Sequence, residues 1–156
     1  MPDEPDAPSE NAAGEKPADN PLHKKLGMRP GASGLVIAPP ADDDNPLLPL
    51  PESFSVLAGF EDLGSAEGPF DYIHVFARDR GELAELFSQL RDKLAPSGSL
   101  WISWIKMSAD RRSGGIGGDI NENIIRRIAL TNAMVDVKIA ALDRTWSALK
   151  VVRRKH

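Results

Sequence analysis

The chain has 156 residues, of which 41% are hydrophobic and 27% charged, and a net charge of −4; this suits one folded domain with its own hydrophobic core. It contains no cysteine, which excludes a disulfide framework, a thiolate metal site and a cysteine nucleophile. Residues 1–20 hold six acidic residues and one lysine, so the remainder is close to neutral and gives little reason to expect nucleic-acid binding.

The first twenty residues are rich in Pro, Asp, Glu and Ala and show no apolar periodicity. Such a segment buries too little surface to offset the entropy lost on ordering. We therefore predict a disordered acidic tail over 1–20 and a single domain over 21–156. Neither a signal-peptide core nor an apolar stretch of membrane-spanning length is visible, so we expect a cytoplasmic protein that does not contact a membrane.

A short helix is expected at the start of the domain. Asn20 is a good N-cap, Pro21 suits the first helical position and Gly27 suits the end. Apolar and β-branched runs then predict the strands. These lie at 35–38, 53–58, 70–77, 99–104, 135–142 and 146–153.

Two longer helices separate the later strands. The first begins near Asp79, which has capping-box spacing to Glu82. It carries one apolar stripe, formed by Leu83, Phe87, Leu90 and Leu94. Residues 96–98 are expected to stop this helix and turn into the next strand. The second helix begins near Asp119, with the same spacing to Glu122.

Helices therefore alternate with strands until a short turn at 143–145 joins the last two strands as an antiparallel hairpin. This order predicts an α/β fold with a doubly wound, mostly parallel sheet and the antiparallel hairpin at its edge. The second half of the hairpin, 148–152, is then an open edge strand, which a protein partner could extend.

Several segments together resemble an uncharacterised bacterial domain-of-unknown-function family (number 3052). The resemblance covers about residues 22–156 and is carried by the set of segments, not by any one of them. The segments are 25–27, 70–71, 100–104 with Lys106, 118–120, 135–138, 142–143, 146–147 and 149–150. It implies a minimal Rossmann-like domain of the methyltransferase type, and it implies no known substrate.

A methyltransferase of this type needs a glycine-rich turn after the first strand and an acidic residue after the second, which holds ribose hydroxyls. Here the first strand leads into Pro39 and Pro40, and the nearest acid after the second strand, Glu61, comes late. The sequence therefore predicts that S-adenosylmethionine is not bound. The three histidines have no metal-ligand spacing, so no metal site is expected.

Ligands of open α/β sheets bind beyond the carboxyl ends of the strands. Polar and aromatic residues gather near two such ends and near a helix start, where an ammonium group and backbone N–H groups could form an anion pocket. The candidate ligand-binding residues are Ser103, Trp104, Lys106, Asp119, Trp146 and Lys150. Structural roles for these residues, in packing, capping or solvation, are the alternative.

Two functions follow from this pattern. The first is a methyltransferase-like module without catalysis, which binds a small anion or a protein partner at this edge. The alternative is a divergent methyltransferase that uses S-adenosylmethionine despite the missing glycines.

Overall fold

The structure is a computed structural model and describes residues 20–106 and 120–155. Its helices are α1 (Pro21–Leu26), α2 (Arg80–Asp92) and α3 (Glu122–Thr131). Its strands are β1 (Gly34–Ile37), β2 (Phe54–Leu57), β3 (Phe70–Phe76), β4 (Leu94–Ile105), β5 (Met134–Ala141) and β6 (Trp146–Arg153). Short 3-10 helices at Asp42–Asp44 and Phe60–Ser65 flank β2. No helix in these ranges is long and apolar enough to cross a membrane.

All six strands form one sheet in the order β2-β1-β3-β4-β6-β5. The first four strands of this order are parallel, whereas β6 is antiparallel to both of its neighbours. The prediction of an α/β fold with a mostly parallel sheet is confirmed. The chain passes from β1 to β2 on one side and returns to β3 on the other, so the carboxyl ends of β1 and β3 border a crevice.

The predicted antiparallel hairpin does lie at the edge of the sheet, but its two strands have exchanged places. Residues 148–152 belong to β6, which pairs with β4 on one side and β5 on the other, so the prediction that they form an open edge was wrong. The edge strand is β5. Burial explains why β6 lies inside the sheet and β5 at its edge. Ala148, Leu149 and Val151 of β6 are fully or almost fully buried, and they need neighbours on both sides.

The edge strand β5 is irregular. Its pairing with β6 shifts register between Asp136 and Lys138, which is a β-bulge that leaves Val137 without an opposite residue. Val137 and Ile139 are 57% and 50% exposed. The strand that ends the sheet is therefore both bent and partly apolar.

Helices α2 and α3 cover one face of the sheet. Three members of the predicted stripe on α2, Leu83, Phe87 and Leu90, are fully buried in the core cluster that also holds Ile125 and Ala129 of α3. The fourth member, Leu94, lies outside the helix and begins β4. Alternating side chains of each strand point to this face. The helical period of the sequence therefore predicted this layer correctly.

The opposite face is covered by α1 and by the connection between β1 and β2. Trp101 donates a 2.9 Å hydrogen bond from Nε1 to the carbonyl oxygen of Leu26. The buried His23 holds the connection, because its Nε2 donates to the Leu47 carbonyl oxygen at 2.6 Å. The bond from Trp101 fixes α1 on the sheet, and the bond from His23 fixes the connection between β1 and β2 on α1.

Helix α3 begins later than the sequence predicted. Asp119, the expected start, lies outside the described residues. The N-cap is Asn121, whose Oδ1 accepts from the backbone N–H of Ile124 at 3.0 Å. Glu122 pairs along the helix with Arg126, which also contacts Asp136 of β5 at 3.2 Å. Arg126 therefore links the helix to the edge strand, and Glu122 pairs with Arg126 instead of completing a capping box.

Strand β4 begins five residues before the predicted 99. Leu94 pairs with Phe70 and Ser99 with Tyr72, so the predicted turn at 96–98 is an irregular part of the strand. Gly98 is buried there, and a Cβ atom at this position would lie 2.8 Å from the Phe70 carbonyl oxygen. Glycine allows the two backbones to approach closely.

We expect Gly98→Ala to lower the free energy of unfolding by about 1–3 kcal/mol, because the added methyl group meets backbone atoms that cannot rotate away. Gly64→Ala is the matched control, since nothing lies within 4 Å of its Cβ position, and its effect should stay within about 0.5 kcal/mol. Urea unfolding of both variants measures the difference. Equal stabilities would contradict the close approach at Gly98.

Candidate functional site

An open cleft of about 510 Å³ lies at the carboxyl edge of the sheet. One wall is the connection that follows β1, and the other is the turn between β5 and β6. The lining residues are Pro40, Asp43, Asp44, Asn45, Pro46, Asp143, Thr145 and Trp146. Clefts of this size hold small organic ligands.

Pairing of β4 with β6 builds the second wall. Ile105, the last residue of β4, lies opposite Trp146, the first of β6. Lys106 then donates from its backbone N–H to Thr145 at 2.8 Å and from Nζ to the Asp143 carbonyl oxygen at 2.6 Å. Two of the predicted site residues, Lys106 and Trp146, are therefore neighbours at the carboxyl edge.

Asp143 shapes the turn itself. Its Oδ1 accepts from the backbone N–H groups of Thr145 and Trp146, at 2.9 and 2.8 Å. Such side-chain bonds to the following backbone are typical of aspartate in turns. The turn is thus fixed from two sides, by Asp143 and by Lys106.

Arg78 bridges the crevice between β1 and β3. Its Nη1 donates to the carbonyl oxygen of Ala38 at 2.7 Å and to that of Phe76 at 3.2 Å. The guanidinium also lies over the Trp146 ring, 5.3 Å from its centroid. Partial burial lowers the pKa of Arg78 from its usual value. Arg78 was not among the residues predicted from the sequence, although it follows a predicted strand at the carboxyl end.

After β1 the backbone turns in the way that a glycine-rich turn would, although no glycine stands there. Ala38 adopts a left-handed conformation with φ 58°, and its N–H donates to the Leu57 carbonyl oxygen at 2.8 Å. Pro39 and Pro40 follow and have no backbone N–H. Beyond β2, the Glu61 carboxylate occupies the space that a Cβ atom at Gly59 would need. An acidic group therefore does lie beside the end of β2.

The other predicted site residues lie elsewhere. Trp104 packs in the core on the face of α2 and α3. Lys150 lies four residues beyond Trp146 along β6, about 13 Å away, opposite Trp101. Ser103 is fully buried, and Asp119 is outside the described residues. Ligand binding by any of the six residues stays a prediction.

Ser103 belongs to a buried chain of polar side chains on β3 and β4. His74 Nε2 is hydrogen-bonded to Ser103 Oγ, and His74 Nδ1 lies 2.8 Å from Tyr72 Oη. Burial lowers the pKa of His74 to about 3 and raises that of Tyr72. The imidazole is therefore neutral in the folded protein, as suits a packed polar residue. Among the described residues, no group of three or more His, Asp or Glu side chains could hold a metal ion.

No protein-family model matches the chain, and no curated protein matches it. Solved structures do. N-methyltransferase NodS from Bradyrhizobium japonicum WM9, in complex with S-adenosyl-L-homocysteine, matches with a TM-score of 0.56 and 19% identity over 88% of this chain and 90% of that chain. Magnesium protoporphyrin IX methyltransferase ChlM from Synechocystis PCC 6803, with bound S-adenosylmethionine, matches with a TM-score of 0.56 and 14% identity over 85% and 74%.

A third structure, ribosomal protein L11 methylase from Lactobacillus delbrueckii subsp. bulgaricus, matches with a TM-score of 0.57 and 14% identity over 85% of this chain and 74% of that chain. At these identities the likeness shows the fold. The chain has the Rossmann-like fold of methyltransferases, as the resemblance in sequence implied.

These structures overturn two sequence predictions, that S-adenosylmethionine is not bound and that the domain is a module without catalysis. Both predictions depended on the missing glycines after β1 and on the late position of Glu61 after β2. Ala38 explains the error, because alanine adopts the left-handed turn that glycine was expected to supply. The comparisons favour the alternative, a divergent S-adenosylmethionine-dependent methyltransferase.

The low pKa of His74 predicts a pH-dependent stability. The unfolded chain takes up a proton at this histidine below about pH 6.5, but the folded protein does so only near pH 3. The contribution of the neutral His74 to the free energy of unfolding is therefore complete above pH 6.5. It declines as the pH falls towards 3, by at most about 1.4 kcal/mol per pH unit. We expect urea unfolding between these limits to show a shallower pH slope for His74→Gln than for the wild type.

Tyr72→Phe is the control for this measurement, because it removes the hydroxyl partner and keeps the imidazole. It should lower stability at every pH and retain the slope. A His74→Gln slope that equals the wild-type slope would show that His74 takes up no proton on unfolding in this range.

Proposed function

We propose that the chain binds S-adenosylmethionine at the carboxyl ends of β1, β2 and β3 and is a divergent methyltransferase. The observation that carries this proposal is the reversal of the chain at β1, which opens the crevice between β1 and β3. Ligands of doubly wound sheets bind in such crevices. NodS and ChlM, which share the fold, hold S-adenosyl-L-homocysteine and S-adenosylmethionine.

The side chains around this crevice suit the polar ends of the cofactor. Glu61, beside the end of β2, would accept hydrogen bonds from the ribose hydroxyls. Arg78, between the ends of β1 and β3, would pair with the carboxylate of the methionine part. This guanidinium compensates for Pro39 and Pro40, which offer no backbone N–H to an anion.

When bound, the cofactor supplies an electrophilic methyl group. The described residues would hold and orient the two reactants. Arg78 separates the crevice from the cleft, since it contacts Ala38 on one side and Trp146 on the other. The cleft lined by Trp146 and Asp143 is therefore our candidate site for the methyl acceptor.

The broader predictions from the sequence are retained as proposals. These are membership of the domain-of-unknown-function family, a cytoplasmic location, and recognition of a small anion or a protein partner. The absence of cysteine is compatible with a reducing compartment. Lys106 and Arg78 are two cationic groups at the carboxyl edge that an anion would meet.

We expect S-adenosyl-L-homocysteine to stabilise the protein against heat in a saturable way. At 100 times Kd the stabilisation is about 2.7 kcal/mol, which raises the Tm by several degrees. Glu61→Gln should weaken the affinity, measured by calorimetry, by about tenfold, because the neutral amide oxygen accepts a weaker hydrogen bond than the carboxylate does. Glu52→Gln is the matched control, since Glu52 precedes β2 at the opposite end of the strand.

The control should bind with wild-type affinity. Absence of any saturable shift with millimolar S-adenosylmethionine or S-adenosyl-L-homocysteine would refute the proposal. Equal weakening by Glu61→Gln and Glu52→Gln would refute the role given to Glu61.

A further inference from the structure

We infer that the acidic segment before α1, residues 1–19, binds to a patch of lysines on the same face of the sheet as α1. The lysine patch consists of Lys25 in the last turn of α1, Lys138 on β5 and Lys150 on β6. The inference is independent of the proposed function, because neither the crevice at β1 nor the cleft at the carboxyl edge supplies a residue to the patch.

The register of the sheet places the three lysines side by side. Lys138 lies directly opposite Lys150, which in turn lies opposite Trp101 of β4. Directly opposite residues point to the same face of a sheet, and Trp101 points to α1, since its Nε1 donates to the Leu26 carbonyl oxygen. Lys138 Nζ donates to the carbonyl oxygen of Lys25 at 2.8 Å. The positive charges therefore gather beside α1.

No carboxylate of the described residues neutralises the lysine patch. Lys25 and Lys138 donate to main-chain carbonyl oxygens, and Lys150 has no hydrogen-bond or ion-pair partner within 20–106 or 120–155. Asp136, the acidic residue of β5, pairs with an arginine of α3. Like charges directly opposite each other on neighbouring strands destabilise a sheet. An anion bound between Lys138 and Lys150 removes this cost.

The helices leave this part of the sheet open. Helix α1 has six residues and is therefore about 9 Å long, whereas a sheet of six strands is about 24 Å wide. Val135 and Val152 form an opposite pair next to the lysines, and both are partly exposed. Doubly wound sheets normally have both faces covered. Over β5 and β6, on the side of α1, there is room for a further segment of chain.

Charge and position select residues 1–19 as that segment. It has six acidic residues and one lysine, a charge of −5, so the rest of the chain, −4 minus −5, carries +1. The segment joins the domain at Asn20, the N-cap of α1, about 8 Å along the helix from Lys25. Glu15 and Glu10 precede Asn20 by five and ten residues. Ten extended residues reach about 33 Å, which exceeds the width of the sheet.

Attachment to the same chain makes weak ion pairs sufficient. Exposed ion pairs contribute little individually, but a tethered partner has an effective concentration in the millimolar range. The contact needs no regular secondary structure in the segment, in agreement with its composition. Because the charges are exposed, we expect the contact to weaken as salt is added.

Paramagnetic relaxation in the intact chain tests the inference. Because the sequence contains no cysteine, Ser9→Cys supplies a single attachment point for a nitroxide label. We expect the label to broaden the amide signals of residues 136–140 and 148–152 more than those of α2, which lies on the other face of the sheet. Salt at about 1 M shortens the Debye length to about 3 Å and should abolish this difference.

Two variants of the labelled protein form a matched pair. Lys138→Glu and Arg127→Glu change the net charge equally, and both residues are exposed, but Arg127 belongs to α3 on the other face. Lys138→Glu should reduce the broadening over β5 and β6 by about threefold or more, whereas Arg127→Glu should retain it. Amide spectra show whether each variant is folded, and Lys138→Gln, which only removes the charge, provides a second test with a smaller loss.

Three results would overturn the inference. They are broadening that is equal over both faces of the sheet, broadening that persists at about 1 M salt, and equal losses in Lys138→Glu and Arg127→Glu.

A competing polyanion distinguishes the segment from a partner on another chain. A poly-glutamate peptide added to the labelled protein should reduce the broadening over β5 and β6, because both ligands need the same lysines. The opposite result is a peptide that shifts the amide signals of Lys138 and Lys150 although the label broadens neither of them beforehand. That result would assign the lysine patch to an external acidic partner and exclude residues 1–19.

Discussion

The antiparallel pairing of β6 with β4 is the contact on which the carboxyl edge depends. If β6 ran parallel to its neighbours, its first residue would lie at the opposite end of the sheet. Because it runs the other way, Trp146 meets Ile105, and the turn before it meets Lys106. The same pairing places the apolar residues of β6 inside the sheet. One strand direction therefore shapes both the core and a wall of the cleft.

The sequence predicted those parts of the fold that depend on local periodicity. The stripe on α2 has one buried face, which a repeat of 3.6 residues reveals. Strand β3 is buried on both faces, and its aromatic and β-branched residues reveal it instead. Strand order does not follow from periodicity. The position of β6 inside the sheet depends on which neighbouring strands bury Ala148 and Leu149. Contacts between residues that are distant in the chain decide this.

The candidate site was predicted only in part, for a similar reason. Lys106 and Trp146 could be placed because both stand at strand ends. Arg78 stands at a strand end as well, but its contacts are with Ala38 and Trp146, far away in the chain. The cofactor prediction failed because it required glycines after β1. The turn there requires only a positive φ, which alanine adopts at a cost of about 1–2 kcal/mol.

The bulge in β5 has a consequence for how the protein behaves in concentrated solution. An exposed edge with Val137 and Ile139 would ordinarily act as a template for further strands. Between Asp136 and Lys138, however, the register shifts, so the outward N–H and C=O groups lose their regular spacing. Lys138 adds a charge there, and its Nζ is tied to the Lys25 carbonyl oxygen at 2.8 Å. The apolar edge is thereby protected against the strand-by-strand growth that produces fibrils.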